Sequence, residues 1–518
     1  MSEQYITKIV LKNFKRFRDL TLEFNKDRNI LVGDNESGKS TILQAIDIAL
    51  SGSFAKIDSY GLQNLLNVNA VSEFMKLSRE KRKIADIPQF YVEIFFNDLN
   101  DFYFEGKNNS QNENASGIRL SFELNEEYNE IVENLLTSDN TIFPIEYFRI
   151  SFKTFADQIY DRYKKKGFSI FIDNSNTTGD YVMRDYIKKL YYANTTDEDR
   201  NNFQHEYRRL SDSFNSNQLA TLNSGSRDYV FNLDPTHKFK LENVLQLYSD
   251  GINIVHRGLG FQNIVMTKHT LMTKQAPNIV LIEEPETHLS HIKTKELLDC
   301  IEAYTSPQMI IATHSNMIAS RLGLKNIIMM NSKSETPSPL MYLSDETSRF
   351  FMRSTNSGIL DFLLSGNVIL VEGNAEFILM EYFIEKELKI KNHNTHVISV
   401  NGLSFKRYLD VAAILKKKVC VITDNDGDYT KNVTNRYQYY SNFPFIRICS
   451  DPNDDNFTFE KCVYLCNKLL CDEVFKGHSS AIEYMLKNKA NAAFELLNSK
   501  KDITPPEYIQ GAIRWINS

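Results

Sequence analysis

The segment VCVITDNDGD (419–428) places three carboxylates, Asp424, Asp426 and Asp428, directly after a short apolar run. The apolar run predicts a buried strand. An extended continuation would project Asp424 and Asp426 to the same side, because side chains of an extended chain repeat every two residues. Taken alone, the segment could also be a solvated acidic turn. The calcium-loop pattern of an EF-hand fails, because no helix precedes the segment and no Glu occupies the twelfth position.

A second acidic segment, VILVEGNAE, ends an apolar run on Glu372 and adds Glu376 four residues later. If a helix begins at residue 374, both carboxylates can face one volume. Carboxylate oxygens in this number suit Mg²⁺ or Mn²⁺, and without a divalent cation they would repel one another. We therefore predict that these acids hold two metal ions about 3.5–4 Å apart, which would hydrolyse a phosphodiester bond.

Residues 30–41, ILVGDNESGKST, contain the pattern G-x-x-x-x-G-K-[ST] between a predicted strand and a predicted helix. Glycines let backbone N–H groups approach the phosphates of a nucleotide, and the helix N-terminus attracts the same anion. Lys39 would contact the β- and γ-phosphates, and Ser40 would coordinate Mg²⁺. The predicted ATP-binding residues of this loop are Gly33, Asn35, Gly38, Lys39, Ser40 and Thr41.

The later segment NIVLIEEPE offers a buried strand that ends on two adjacent acids, Glu283 and Glu284. Buried acids are costly unless a cation compensates them. We expect Glu283 to hold the Mg²⁺ ion that accompanies ATP and Glu284 to orient or deprotonate the attacking water. The segment IIATHS places His314 at the end of another predicted strand, where it could sense the γ-phosphate.

The chain that must position these residues has 518 residues, too many for one ordinary core. Strand patterns alternate with helical patterns, which predicts an α/β protein. We predict an ATPase domain over residues 1–345, interrupted by a polar, mostly helical insertion at 155–225, and a second α/β domain over 346–518. Residues 331–340 are typical of a linker.

The composition narrows the functional class. The net charge is −6, so the protein as a whole is not a polycation, although a nucleic-acid binder needs only a local basic face. The sequence contains no apolar run of the roughly 20 residues that cross a bilayer and no secretory signal, so no membrane partner is expected. Six cysteines without a CxxC pair argue against a disulfide framework and a zinc site. A cytoplasmic protein is expected.

The nucleotide motifs resemble those of ABC-type ATPase heads, in particular the SMC/RecF branch, over roughly residues 1–330. In that family two heads sandwich the nucleotide, and each supplies a signature loop to the other. The segment HRGLGFQN is the expected counterpart of that loop, with Gly258 and Gly260 as the nucleotide contacts and Arg257 as a weaker candidate. Glu283 stands where Asp is commoner in the family, which implies slow hydrolysis.

The acidic segments are similar to the Toprim domain, which has Glu-Gly after one strand and Asp-x-Asp after a later one. The whole chain resembles the OLD (overcoming lysogenization defect) nucleases of the GajA-like type, an ABC-type ATPase followed by Toprim. This resemblance implies DNA cleavage with two divalent ions, a late acid and a late lysine. Glu460 and Lys489 are the local matches, with Glu460 as a metal ligand and Lys489 neutralising charge at the phosphorus.

The resemblance also implies partners and a biological role. The 155–225 segment would mediate dimerisation, so a homo-oligomer, either a dimer or a tetramer, is expected. A UvrD-like helicase is a possible partner in the family. Bacterial anti-phage defence is the expected role, with nucleotide regulating the cutting. In GajA-like proteins nucleotide is associated with inhibition, but the residues of this chain leave the direction open.

Two other interpretations stay open. The chain could be an SMC/RecF-like DNA-binding ATPase whose Toprim domain is inactive, or its Toprim domain could cleave RNA. A primase or topoisomerase is disfavoured, because neither the zinc module of primases nor a long topoisomerase gate fits in this length.

Overall fold

A computed structural model describes residues 4–518 with the exception of twelve short segments: 98–100, 139–141, 161–168, 175–179, 225–229, 234–239, 273–276, 305–306, 333, 355–357, 391–393 and 403. The chain forms two compact units. The first comprises Met1–His314 and Met330–Pro337, and the second comprises Ser315–Met329 and Ser338–Ser518. The predicted domain boundary between residues 345 and 346 stays a prediction.

The described strands follow the chain in this order: β1 (Ile6–Phe14), β2 (Phe17–Glu23), β3 (Arg28–Gly33), β4 (Phe90–Phe96), β5 (Glu105–Gly106), β6 (Ala115–Leu124), β7 (Phe148–Thr154), β8 (Ser169–Asp173), β9 (Tyr248–Ser249), β10 (Ile252–Asn253), β11 (Ile279–Glu283), β12 (Gln308–Ala312), β13 (Ile327–Asn331), β14 (Ser334–Pro339), β15 (Asn367–Val371), β16 (Thr395–Ser399), β17 (Val419–Ile422) and β18 (Ile446–Cys449).

The described α-helices are α1 (Lys39–Ser51), α2 (Phe54–Tyr60), α3 (Val68–Lys76), α4 (Asn129–Thr137), α5 (Asp180–Asn194), α6 (Asp197–Asn217), α7 (Ala220–Asn223), α8 (Leu259–Met272), α9 (His291–Ala303), α10 (Asn316–Arg321), α11 (Asp345–Arg353), α12 (Ile359–Leu364), α13 (Asn374–Leu388), α14 (Phe405–Leu415), α15 (Phe459–Cys466), α16 (Lys468–Val474), α17 (Ala481–Lys487), α18 (Lys489–Asn498) and α19 (Glu507–Asn517).

The first unit contains an antiparallel sheet of order β2-β1-β4-β6-β5, with β7 also paired to β6, and four strands of a second sheet in the order β3-β12-β11-β8; the full order of that sheet is β14-β13-β3-β12-β11-β8. In the second sheet β3, β12, β11 and β8 run parallel. Strands β11 and β12 are buried throughout, which explains their continuous apolar sequences. Because parallel strands end at one edge, the P-loop after β3, Glu283 and the residues after β12 share that edge.

The Gln308 side chain joins the two sheets of the first unit. Its Oε1 accepts a hydrogen bond from the Ile6 N–H, and its Nε2 donates to the carbonyls of Ile6 and Asn25, each over 2.8 Å. The amide therefore satisfies three backbone groups, two of Ile6 at the start of β1 and one of Asn25 between β2 and β3.

Within the predicted, mostly helical insertion at residues 155–225 the structure has α5, α6 and α7 and also a strand at residues 169–173, and the insertion itself stays a prediction. Those residues form β8, which pairs in parallel with β11. A five-residue strand among polar neighbours gives too short an apolar pattern to be recognised. Parts of the predicted insertion lie outside the described residues. The predicted linker at 331–340 is wrong in part, because it contains β14, at the edge of the sheet where prolines are tolerated.

The second unit is built on a parallel sheet of order β16-β15-β17-β18. Helices α13, α15, α17, α18 and α19 contribute to one large apolar core with this sheet. A second aromatic cluster brings Tyr408 of α14 against Phe351 and Phe362, with ring centroids 5.0 and 5.3 Å apart. The sheet is thus buried enough to hold strand ends in fixed positions, and Glu372 and Asp424 follow two neighbouring strands, β15 and β17.

Candidate functional site

The predicted P-loop connects β3 to α1. Gly38 has a φ of +98°, and a Cβ there would lie 2.3 Å from Cζ of Phe17. A Cβ at Gly33 would lie 2.4 Å from the Met330 carbonyl oxygen. Both positions therefore require glycine. Asn35 lies in the exposed turn of the loop, and Thr41 lies in the first turn of α1.

Lys39 and Ser40 begin α1, where the helix N-terminus favours an anion. The Lys39 side chain is 6% exposed, and its Nζ donates to the carbonyls of Gly33 (2.8 Å) and Asp34 (3.1 Å). Burial lowers the pKa of Lys39, and nearby carboxylates, Glu284 foremost, oppose that effect. The loop thus holds an ammonium group within its own turn, as phosphate binding requires.

Glu283 ends β11 with 5% exposure, and burial raises the pKa of its carboxyl. A hydrogen bond with the Ser40 side chain opposes that increase. The structure therefore brings Glu283 and Ser40 together, which is the arrangement that a Mg²⁺ ion bound with ATP needs.

Glu284 adopts a left-handed conformation, with a φ of +44°, and its N–H donates to the Ala312 carbonyl over 2.8 Å. Burial and the neighbouring Glu286 carboxylate raise the pKa of Glu284 to about 8. His314 follows β12, and its Nε2 lies 3.5 Å from Oε1 of Glu284. Burial and the Lys39 charge lower the pKa of His314. The predicted water-orienting acid and the predicted phosphate sensor are therefore neighbours.

Gly258 and Gly260 lie at the start of α8, and the two glycines differ in surroundings. A Cβ at Gly258 would meet no atom within 4 Å among the described residues, whereas a Cβ at Gly260 would lie 2.4 Å from the His288 carbonyl oxygen. Arg257 donates to the Ser249 carbonyl over 3.1 Å. Gly260 is thus required for close packing, and the nucleotide role of all three residues stays a prediction.

In the second unit, Glu372 and Asp424 are tied to each other directly. Oε1 of Glu372 accepts hydrogen bonds from the Asp424 N–H, over 3.0 Å, and from the Thr423 hydroxyl. Oδ1 of Asp424 accepts from the Phe459 N–H, over 2.8 Å. The ends of β15 and β17 and the start of α15 therefore converge. Thr423 was missed at the sequence level, although its position directly before Asp424 is a usable signal.

Four carboxylates influence one another at this position. Burial raises the pKa of Asp424 to about 8, and the charges of Glu372, Glu376 and Glu460 act in the same direction. Burial also raises the pKa of Glu376, which is 6% exposed, to about 7. Both shifts mean that ionisation is disfavoured here unless a cation is added.

Glu460 and Lys489 form the remaining wall of this cluster. Glu460 is 3% exposed, and within the described part of the chain its carboxylate oxygens have no partner other than the Lys489 ammonium group. Nζ of Lys489 lies 3.3 Å from Oε2 of Glu460. Burial alone would lower the pKa of Lys489, but the charges of Glu460 and Asp424 outweigh burial and raise it. The late acid and the late lysine are therefore in the cluster.

Asp426 and Asp428 are placed differently from the other predicted ligands. The expectation of an extended stretch through Asp426 is wrong, because β17 ends at Ile422 and Asp426 has a φ of +49°. Both side chains are exposed, and Oδ1 of Asp428 accepts the Lys431 N–H over 2.9 Å. Their roles as metal ligands stay predictions.

The donor set fits a divalent cation, since it combines buried or partly buried carboxylates of raised pKa with the buried Glu460 carboxylate, which has no described partner besides Lys489. Among the described residues, no three His, Cys, Asp or Glu side chains already surround one metal-sized position. Binding an ion would therefore require side-chain rotation. The carboxylates that we expect to rotate are those of Glu376 and Glu460, because hydrogen bonds already orient those of Glu372 and Asp424.

Comparison with known proteins places the chain in a family. A family model described as "AAA ATPase domain" matches residues 5–319, more than half of the chain. The chain belongs to the AAA ATPase domain family. A second model, "Overcoming lysogenization defect protein-like, TOPRIM domain", matches residues 363–426 of this AAA-family chain. The expected OLD-family organisation and the α/β fold class, an ABC-type ATPase followed by Toprim, are thereby confirmed.

Individual relatives of this AAA-family protein cover parts of it. It is 22% identical over 294 residues to the endonuclease GajA of Bacillus cereus (strain HuB5-5), which covers 48% of the chain and 42% of GajA. It is 31% identical over 96 residues to the DNA replication and repair protein RecF of Acetivibrio thermocellus, or 16% of the chain and 26% of RecF. The chain thus spans less than half the length of these curated relatives.

A solved SMC head domain from Thermotoga maritima is 13% identical, with a TM-score of 0.29, over 62% of this chain and 94% of that one.

None of the described helices combines the length and the apolar character that crossing a bilayer requires.

Substitution of Asp424 tests the electrostatic account of the carboxylate cluster. Because the pKa of Asp424 is raised from 3.8 to about 8, this carboxyl costs the fold stability progressively as the pH rises through that range, and the cost is complete above about pH 8. At pH 8.5 without metal, Asp424→Asn should raise the melting temperature of the second unit by about 2–4 °C, as expected for roughly 1 kcal/mol in a unit of this size. Mg²⁺ should raise the melting temperature of the unmodified protein and leave that of the variant unchanged.

Thermal unfolding with and without Mg²⁺ makes this measurement. Glu483→Gln removes an exposed acid of the same unit and serves as the control. An Asp424→Asn protein that melts lower than the unmodified protein without metal would contradict the account.

Proposed function

We propose that this protein is an ATP-regulated, divalent-metal-dependent DNA endonuclease. The observation that carries the proposal is the convergence of Glu372, Glu376, Asp424 and Glu460 beside Lys489, in a domain with an OLD-like TOPRIM match. Glu376 and Glu460 are buried and Glu372 and Asp424 are partly buried, and acids packed in this way are destabilising by themselves, so their arrangement indicates a function that uses cations.

In this proposal Glu372 and Asp424 hold the metal ions, since their strands and the Phe459 N–H fix their positions. Glu376 and Glu460 complete the ligand set from the first turns of α13 and α15. When bound, two divalent ions activate water and stabilise the leaving oxygen of a phosphodiester. Asp426 and Asp428, both exposed, are proposed as further ligands of an ion or its water.

Lys489 has a separate part in the proposal. Its ammonium group lies at the rim, with about half of the side chain exposed, while Glu460 beside it is buried. It can therefore reach a substrate phosphate without leaving the cluster, and it would neutralise negative charge that develops at the phosphorus. Thr423 would keep the Glu372 carboxylate oriented through its hydroxyl.

ATP is proposed to act as a regulator. Lys39 would hold the β- and γ-phosphates, Ser40 and Glu283 would hold Mg²⁺, and Glu284 would orient water near His314. Nucleotide binding would favour one arrangement of paired heads and so change the activity of the Toprim domain. A bacterial anti-phage role, with a UvrD-like helicase as a partner, completes the proposal through the OLD-family resemblance.

A homodimer is proposed through α6. This helix presents Phe203, Leu210 and Phe214 to solvent, with exposures of 47, 66 and 46%. The spacing of seven and then four residues places the three side chains on one stripe of the helix, as in helices that pair. An exposed stripe of large apolar side chains is expected to be covered by a partner, and a second copy of the same helix is the partner that matches it.

Substitution of Leu210 tests the dimer. Leu210→Glu places a charge at the centre of the stripe and should shift the protein to monomers, raising the dimer dissociation constant by at least about tenfold. Sedimentation velocity measures the change. His205→Glu alters the opposite face of α6 and should leave the dimer intact. A Leu210→Glu protein that sediments like the unmodified protein would exclude α6 as the interface.

Plasmid cleavage tests the nuclease. The purified protein should cut plasmid DNA with Mg²⁺ or Mn²⁺, and Asp424→Ala should lower the rate by at least about 100-fold, the scale of losing one electrostatic catalytic group. Lys39→Ala should cut DNA but lose the response to ATP. Gel analysis with and without ATP provides the measurement, and Glu483→Gln is the control.

Two outcomes of this assay would contradict the proposal. If the protein and Asp424→Ala both leave DNA intact in every metal, the chain is an ATPase with an inactive Toprim domain. Cleavage restricted to an RNA substrate run in parallel would replace DNA by RNA as the substrate.

A further inference from the structure

The loop after β11 contains a third acid, Glu286, that the roles described above do not use. Its Oε1 accepts a hydrogen bond from the Thr313 hydroxyl over 2.6 Å and another from the His314 N–H over 2.9 Å. Both donors follow β12 directly. The carboxylate of one strand-end loop is therefore bonded to the end of the neighbouring strand.

The ladder between the two strands stops just before this point. The last paired residues of β11 and β12 are Glu283 and Ala312. Beyond them the Glu284 N–H still donates to the Ala312 carbonyl, and Glu286 then takes the hydroxyl of Thr313 and the N–H of His314. Side-chain bonds thus continue the connection where backbone pairing has ended.

The turn that the Glu286 hydrogen bonds hold in place contains a residue in an unfavourable backbone conformation. Glu284 has a φ of +44°, a left-handed conformation that residues with a Cβ rarely adopt. Such conformations persist only where surrounding contacts hold them, and they are frequent at functional sites. Here the conformation brings Oε1 of Glu284 within 3.5 Å of Nε2 of His314.

We propose that Glu286 is a positioning residue of the ATPase site, which fixes Glu284 and His314 relative to each other and thereby sets the rate of ATP hydrolysis. Glu284 reaches the site from β11 and His314 from β12, so their separation depends on how the two strand ends are joined. The inference rests on the nucleotide half of the proposed function and is independent of the nuclease chemistry.

Two variants of Glu286 separate positioning from charge. Glu286→Gln keeps an oxygen that can accept both hydrogen bonds, whereas Glu286→Ala removes them. Without nucleic acid, Glu286→Ala should lower kcat for ATP hydrolysis by about 10–100-fold, the scale for supporting residues of a reactive group. Its dissociation constant for ATP should stay within about threefold of that of the unmodified protein, because the P-loop contacts are untouched. Glu286→Gln keeps both hydrogen bonds but removes the charge that raises the pKa of Glu284, so its kcat should stay at least about threefold above that of Glu286→Ala, with the dissociation constant for ATP within about threefold of that of the unmodified protein.

A second measurement needs no nucleotide. Thr313→Val removes one of the two donors and leaves Glu286 in place. Because the two residues share one hydrogen bond, the melting-temperature losses of Glu286→Ala and Thr313→Val should be non-additive in the double variant. Glu296→Ala, an exposed acid of α9, is the control and should change neither hydrolysis nor melting.

Several results would overturn the proposal. One is a kcat loss as large in Glu286→Gln as in Glu286→Ala, and others are an unchanged kcat in Glu286→Ala or additive melting losses. If Glu286→Ala fails to fold, Thr313→Val decides: a several-fold loss of kcat with unchanged ATP binding supports positioning, and an unchanged kcat overturns it. Plasmid cleavage by these variants without ATP should match that of the unmodified protein, so a missing nuclease and a wrong role for Glu286 give different results.

Discussion

Repulsion among buried carboxylates is the constraint on which the second unit depends. Parallel strands end at one edge of their sheet, so the sequence cannot place Glu372 and Asp424 after β15 and β17 without bringing them together. Partial burial then removes some of the water that would screen their charges, and Glu376 and Glu460 add two buried acids. The large apolar core below must hold this edge in place against that repulsion.

The nucleotide site of the first unit also brings acids close together, but there a lysine offsets part of their repulsion. The buried Glu283 and the partly buried Glu284 lie near the ammonium group of Lys39, and the pKa values of all three groups are shifted by burial. A lysine inside the P-loop therefore offsets part of the negative charge before any ligand arrives. The carboxylate cluster has Lys489 at its rim, where half of the side chain is in water and screening weakens the attraction. The second site consequently depends more on added cations than the first.

The sequence predicted the candidate sites best where their residues lie together in one short motif. The P-loop, the β11 strand with its two acids and the acids after β15 and β17 follow directly from short patterns of apolar and polar residues. Asp426 could not be placed in this way, because the strand stops at Ile422 and a left-handed turn breaks the two-residue repeat. β8 escaped recognition because its partner, β11, lies more than a hundred residues along the chain.

Contacts between segments that are distant in the sequence were the second kind of feature that could not be predicted. Glu286 was visible in the quoted motif, but its bonds to Thr313 and His314 depend on how two strand ends meet, which spacing alone does not reveal. Glu460 and Lys489 were chosen by family resemblance. They lie on two different helices, so no local sequence pattern predicts the contact between them.

Anomalous diffraction from crystals grown with Mn²⁺ would test the central claim most directly, because it locates the ion without relying on catalysis. The account predicts manganese peaks among Glu372, Asp424, Glu376 and Glu460, with metal–oxygen distances of about 2.0–2.2 Å. Crystals with Mn²⁺ bound at the nucleotide site and none among these four acids would contradict it.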